Sequence, residues 1–225
     1  MMRPRLRHTL FIALLAAGGC SSGPKYKIDD SVFAQIPVQE KQGMMMAEQE
    51  RSIAKQEYQK AEADLKQVSR ELDIAENEYK MAKLGVENAE SSKKLAEQTG
   101  DVNRKNSAER DLRVSEMGKK AGQAKVDWLE KKKKLVKRER EAAEAHQKAA
   151  DAKYELEKAR LAQMRGIKPS EDFNVATFET QAMEKDKDFT EARLDAEKLR
   201  PEVDSLERTY QTQAEQYNSA RSMPR

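Results

Sequence analysis

The amino-acid sequence predicts an all-α fold: an elongated antiparallel three-helix coiled coil, made of a long helical hairpin and a shorter third helix. Composition is the first indication, because charged residues make up 37% of the 225 residues and aromatic residues only 5%. Long, solvent-wrapped helices are typical of such a composition. The second indication is a heptad spacing of apolar residues in three segments. The third is that no segment alternates β-branched and polar residues.

The chain begins with a segment typical of export signals. Arg3, Arg5 and Arg7 precede a short apolar run at residues 10–17, and small residues follow that run. A basic start, a short apolar core and small residues before a cleavage point are the features of a signal peptide. The apolar run is about half of the ~20 residues that a membrane-spanning helix needs, which argues against a transmembrane anchor.

Ala17, Gly18, Gly19 and Cys20 close this segment. Together with the leucines upstream they resemble the lipobox of bacterial lipoproteins, which type II signal peptidase cleaves before the cysteine. Ala17 stands where the usual pattern has leucine. The resemblance implies that residues 1–19 are a lipoprotein signal peptide, and that Cys20 receives diacylglycerol and an N-acyl chain. The alternative is an ordinary secretory signal, in which Cys20 carries no lipid.

Residues 20–37 are predicted to be the lipidated cysteine and a flexible tether, since they hold a glycine and two prolines. Ser21 after the cysteine resembles the sorting pattern of Gram-negative outer-membrane lipoproteins. The resemblance therefore implies a lipid anchor in the outer membrane, facing the periplasm, rather than in the inner membrane. Removal of residues 1–19 takes away three arginines and no acidic residue, which leaves the mature chain near neutral. A nearly neutral chain is not expected to bind nucleic acid.

Turn residues divide the predicted rod, residues 38–222, into three helical segments. The breaks surround Gly100 and Gly166, and Ser170 is a plausible cap for the third segment. The predicted helices span about 38–98, 104–165 and 171–222. Each segment repeats apolar residues with 3-4 spacing over several heptads, which predicts a coiled coil. Antiparallel alignment about the two turns places Leu135 opposite Leu199. It also places Ala75 opposite Trp128, so that a large residue faces a small one in this aromatic layer.

Two irregularities interrupt this pattern. Gly85 and Gly118 fall at the same height in the alignment, where they could make room for Tyr210 or Tyr217, form a hinge, or be tolerated surface glycines. Pro201 lies on an outward heptad position, where it would either kink the third helix or restart it; because the heptad runs through it unchanged, we expect a kink.

The sequence lacks the patterns that carry catalysis. His146 is the one histidine outside the signal segment, it has no cysteine or histidine nearby, and we expect it to be a solvated helix residue. Phosphate-binding loops, nucleophile elbows and metal-ligand clusters are missing from the sequence. The chain is therefore predicted not to be an enzyme, and to have no metal, no small-molecule substrate and no cofactor besides the lipid on Cys20.

Two groups of residues are candidates for contacts with other molecules. The first is the turn at the far end of the predicted hairpin: Thr99, Gly100, Asp101, Val102, Asn103 and Arg104. The second is a basic patch: Lys131, Lys132, Lys133, Lys134, Lys137, Arg138 and Arg140. The patch could bind an anionic surface, but the alignment also brings it beside acidic residues at 195–204. An intramolecular set of ion pairs is the favoured interpretation.

These observations predict a non-catalytic, lipid-anchored periplasmic coiled coil that acts as a spacer or scaffold for other cell-envelope proteins. Its partners would be the membrane, through the lipid, and envelope proteins, through helix packing; the oligomeric state stays open. The alternative is a chaperone-like or transport-adaptor module, since helical hairpins are similar in shape to those of periplasmic chaperones and efflux adaptors.

Overall fold

A computed structural model describes residues 25–223, and this part of the chain is helical and has no strand. The all-α prediction is therefore confirmed. Two short 3-10 turns, Asp30–Phe33 and Val38–Lys41, precede the long helices. The helices are α1 (Gln42–Thr99), α2 (Val102–Met164), α3 (Val175–Glu197) and α4 (Arg200–Ser222).

Helix α2 lies in the middle of the molecule. It packs along α1 on one side and along α3 and α4 on the other, whereas α1 has only marginal contact with α3 or α4. The helical segments thus pack against each other through α2, which supplies most of the buried residues. We call the end with the α2–α3 turn the base, and the end with the α1–α2 turn the tip.

The turn at the tip follows the capping rules of helices. Gly100 ends α1 with a left-handed φ of 69°, which a residue with a side chain adopts only at a cost. The carboxylate of Asp101 then accepts hydrogen bonds from the backbone N–H groups of Asn103 (2.9 Å) and Arg104 (3.2 Å). This satisfies donors that the first turn of α2 leaves without helical partners.

The third helix begins later than the sequence indicated. Asn174, rather than Ser170, caps it, and its side chain accepts a hydrogen bond from the backbone N–H of Ala176 at 3.0 Å. Residues 170–173 form turns instead, and Phe173 packs against the base core. Asparagine and serine are both good N-cap residues, and here Asn174, which apolar Val175 follows, is the one that caps the helix.

Pro201 divides the third helix, where we expected a continuous but kinked helix. Lys198 and Leu199 form a turn between α3 and α4, and Pro201 occupies the first turn of α4, where its missing N–H costs little. The heptad continues across the break, since Ala196 and Val203 pack in one cluster with Leu135 of α2.

Buried side chains form three clusters along α2. The largest lies at the base and includes Phe33, Leu161 and Phe178. The other two lie around Leu129 and around Leu135. Small residues allow close packing within these clusters. In the cluster around Leu129, fully buried Ala75 leaves room for the aromatic and branched side chains of α2.

Candidate anchor and contact sites

The expected lipidation site lies outside the described residues. Cys20 and the cleavage residues Ala17, Gly18 and Gly19 precede Lys25, the first described residue. Only residues 21–24 separate Cys20 from this point. The structure of the base therefore bears on how a lipid anchor would connect to the rod.

The chain just after these residues, residues 25–36, packs on the base; we call it the N-terminal segment. The sequence predicted a flexible tether through residue 37, yet Ile28 is only 4% exposed and Phe33 only 2%. Asp29 starts the first 3-10 turn by accepting a hydrogen bond from the N–H of Ser31 at 2.8 Å. Hydrogen bonds from Ser31 lower the pKa of the Asp29 carboxyl. The two buried apolar residues and this cap explain why the segment packs on the base. The glycine and proline content of the sequence had indicated a flexible tether instead.

A charged group, which we call the Lys158 cluster, ties this segment to α2; it consists of buried Glu155 and Lys158 and of exposed Asp30. Lys158 is 3% exposed and Glu155 7%. The Lys158 ammonium lies 2.8 Å from the Asp30 carboxylate and 3.0 Å from that of Glu155. The other oxygen of Glu155 accepts a hydrogen bond from the backbone N–H of Ile28 at 2.8 Å. Buried charges persist only when they are paired, and on α2 Lys158 and Glu155 pair with each other. The N-terminal segment adds a second carboxylate to Lys158 and a backbone donor to Glu155.

Aromatic residues surround this cluster. The Tyr26 ring lies 5.8 Å from that of Phe178, and the Tyr26 N–H donates to Gln181 at 3.1 Å. The Tyr154 hydroxyl donates to Asp30 at 3.3 Å. Burial, together with the nearby carboxylates of Asp30 and Glu48, raises the pKa of Tyr154 to about 12. The tyrosine therefore stays neutral and acts as a donor over the physiological range.

The predicted contact residues at the tip lie together and are exposed. Thr99–Arg104 form the α1–α2 turn, in which Gly100 and Asp101 set the backbone as described. A shallow groove of about 510 Å³ runs beside the turn between α1 and α2, and Leu95 and Ser107 line it. Thr99 donates its hydroxyl to the Ala96 carbonyl at 2.8 Å, and Val102, Asn103 and Arg104 are exposed.

The basic patch does not lie on one surface. Lys131 reaches α4, where its ammonium lies 2.5 Å from the Glu202 carboxylate. Lys132 reaches the other side, 3.8 Å from Glu71 of α1, and lies 4.8 Å from the Trp128 ring centroid. Neighbouring residues on a helix point in different directions, so a run of lysines is divided between faces.

The remaining basic residues of the patch pair locally or not at all within the described chain. Arg138 lies 2.7 Å from Glu141, and Arg140 lies 3.6 Å from Glu144. Lys133, Lys134 and Lys137 form no ion pair within residues 25–223. Among the acidic residues expected at 195–204, Glu202 forms an ion pair with the patch. Asp195 and Glu197 instead form ion pairs with bases close to them in sequence.

His146 connects three helices, although the sequence indicated a solvated residue. Its Nδ1 lies 2.7 Å from a carboxylate oxygen of Glu57 on α1, and its ring stacks on Phe189 of α3 with centroids 4.6 Å apart. A groove of about 510 Å³ opens beside this contact, with Ala149 of α2 on its floor and Met183 on a wall. The apolar heptad position of Phe189 in the third segment is the sequence feature that could have indicated this contact.

Within residues 25–223, no group of three or more His, Cys, Asp or Glu side chains is placed to hold a metal ion. Among the same residues, the helices are too polar to cross a bilayer. The class that the fold defines is an all-α protein built around one long central helix. Comparison with family models, with curated proteins and with solved structures finds no match to this chain.

Proposed function

We propose that this chain is a non-catalytic, lipid-anchored spacer or scaffold for other proteins of the bacterial cell envelope. The observation that carries the proposal is the packing of the N-terminal segment on the base. It holds residues 25–36 at one end of α2, which has 63 residues. At 1.5 Å per residue the tip then lies roughly 90 Å from the attachment point.

The proposed architecture is an antiparallel three-helix coiled coil with α2 in the centre. Ion pairs between α1 and α2 support it, because partner numbers fall along α2 as they rise along α1. The pairs are Arg51–Asp151 at 2.6 Å, Glu78–Lys125 at 2.7 Å and Lys93–Glu109 at 3.9 Å. Exposed pairs contribute only ~0.2–1 kcal/mol each, so their role is to favour one register.

The proposed mechanism is geometric. Lipid on Cys20 would hold the base at the periplasmic face of the outer membrane, since four residues reach at most ~15 Å. Two or three acyl chains exceed the single chain that gives only marginal membrane binding. The helices would then present the tip, Thr99–Arg104, to a partner away from the membrane.

Cys20→Ala tests the anchor in cells. We expect the variant to lose lipid labelling and to move from the membrane fraction to the soluble fraction, while Ser21→Ala keeps both properties. Membrane residence of Cys20→Ala without lipid labelling would contradict the proposal. Photo-crosslinkers at Thr99 and at exposed Met46 would then compare the tip with the base; we expect an envelope protein to be captured from Thr99.

The groove beside Phe189 favours a second candidate, a chaperone-like or transport-adaptor module. Met183 on its wall is 66% exposed, which offers apolar surface to an unfolded segment. A chaperone of this kind should suppress aggregation of a denatured client protein, and Met183→Glu should remove that activity. If the chain does not suppress aggregation, this candidate is wrong and the spacer remains.

A further inference from the structure

The outer face of α1 carries apolar residues that no part of the described chain covers. We call the outer stripe the set Ile74, Asn77, Met81, Leu84 and Asn88. Its spacing of three and four residues is that of a coiled-coil seam. Ile74 is 56% exposed, Met81 68% and Leu84 50%. The stripe has no charged member, although charged residues make up 37% of the chain.

The stripe lies away from the core of the molecule. The neighbouring positions Ala75 and Val86 face α2 and are buried. Because α1 has only marginal contact with α3 and α4, these helices leave the opposite side of α1 open. A seam with coiled-coil spacing on an open helix face fits a second helix.

Gly85, in the middle of the stripe, is the one described glycine that intramolecular contacts leave unexplained. A Cβ at Gly118 would lie 2.9 Å from the Tyr217 ring, and one at Gly122 would lie 3.4 Å from the Tyr79 backbone. A Cβ at Gly43 would meet Glu157, and Gly100 and Gly166 need their positive φ angles. At Gly85 φ is not positive and nothing lies within 4 Å.

Glycine within a helix costs ~1 kcal/mol relative to alanine, so Gly85 weakens α1 without any benefit inside the chain. A missing Cβ allows the backbone of another helix to approach closely. The position of Gly85 beside Leu84 therefore indicates an approach at the centre of the stripe.

Charges along the edge of the stripe show which helix would fit. Asp73, Lys80, Glu87 and Lys94 follow one another at heptad spacing with alternating sign. All four are exposed, and none forms an ion pair within residues 25–223. In coiled coils, charges beside the seam set the choice and orientation of the partner.

We propose that the outer stripe binds the outer stripe of a second copy of this chain, with the two α1 helices antiparallel. An antiparallel alignment about the midpoint between Ala82 and Lys83 places Met81 of one copy against Leu84 of the other, and Asn77 against Asn88. In this alignment Lys80 lies within one helical turn of Glu87 of the second copy, and Asp73 within one turn of Lys94, so every charge on this edge has an opposite charge beside it. A parallel alignment would instead bring Asp73 close to Glu78 of the second copy, and like charges disfavour it.

The contact is short. Together with its edge charges, from Asp73 to Lys94, it covers about 22 residues of α1, or roughly 33 Å of helix, and small interfaces of this kind form weak complexes. We therefore expect dimers at protein concentrations on the order of 10–100 µM. The inference does not depend on the lipid anchor, which Cys20→Ala tests separately.

Analytical ultracentrifugation of the full chain with Cys20→Ser tests the proposal. Wild-type α1 should give a concentration-dependent dimer. Lys80→Glu and Glu87→Lys should each weaken the dimer by about tenfold or more, because each creates two like-charge contacts. An equimolar mixture of these two variants should regain the wild-type affinity, since each provides the charges that the other lacks. Lys187→Glu, on an exposed part of α3, is the matched control and should have no effect.

Three results would overturn the proposal. The wild-type chain could stay monomeric up to about 200 µM, which is above the range expected for a weak interface. The dimer could persist unchanged in both single variants, which would place the contact on another face. The mixture could remain monomeric, which would exclude the antiparallel pairing of Lys80 with Glu87. Circular dichroism of each variant checks that the helices are intact.

Discussion

The base and the tip of the molecule are held together in different ways. At the base, the N-terminal segment and three helices enclose Phe33 and Phe178 together with the buried pair of Lys158 and Glu155. At the tip, two helices meet through the small side chains of Ala96 and Ala108, and one aspartate caps the turn. One heptad pattern runs through both ends, so the difference comes from the aromatic residues and from the extra segment. Strength is concentrated where the lipid anchor is proposed.

Phe33→Ala should have the largest effect on this difference. Phe33 is 2% exposed, and truncation of a buried phenylalanine costs ~3–5 kcal/mol of unfolding free energy. Leu95→Ala at the tip is the control; Leu95 is 64% exposed, and the change should cost less than about 0.5 kcal/mol. Urea unfolding followed by circular dichroism measures both. Equal losses for the two variants would mean that the ends are equally strong.

Lys158→Met should destabilise the base by ~3 kcal/mol, because it leaves the buried carboxylate of Glu155 without its cation. The double variant Lys158→Met/Glu155→Gln removes both charges and should recover part of this loss. Differential scanning calorimetry of the two variants gives the comparison. If the double variant is no more stable than the single one, the uncompensated charge is not the cause.

The glycines near the tip should give the smallest effects, of opposite sign. Gly118→Ala places a methyl group 2.9 Å from the Tyr217 ring, so Tyr217 must move, and we expect a loss of ~1 kcal/mol. Gly85→Ala meets nothing within 4 Å and should stabilise the monomer by up to ~1 kcal/mol. Thermal unfolding at micromolar concentration, where the monomer dominates, separates the two. Destabilisation by Gly85→Ala under these conditions would point to a contact inside the chain.

The long helices were predictable because their signals are local and repeated. Heptads extend over most of α1 and α2, and Gly100 and Gly166 mark the breaks with backbone angles that other residues avoid. Trp128 and Tyr210 both lie at heptad positions, and their rings stack with centroids 5.5 Å apart, although the alignment did not pair these two residues.

The contacts of single polar residues were not predictable, because they depend on the three-dimensional neighbourhood. His146 has ordinary helical neighbours in sequence, and its partners Glu57 and Phe189 lie far along the chain. The order of the N-terminal segment depends on Glu155 and Lys158, more than 120 residues away. Composition alone could not indicate such long-range pairing.

The packing of the N-terminal segment has a mechanical consequence. If residues 20–37 were a flexible tether, they would uncouple the helices from a lipid on Cys20. A force on the tip would then not be transmitted to the membrane. With residues 25–36 fixed to the base, only residues 21–24 separate Cys20 from the packed chain, and four residues span at most ~15 Å. The helices are then a lever roughly six times longer than the link formed by residues 21–24. A sideways load on the tip would act on a lipid anchor at Cys20 as a torque.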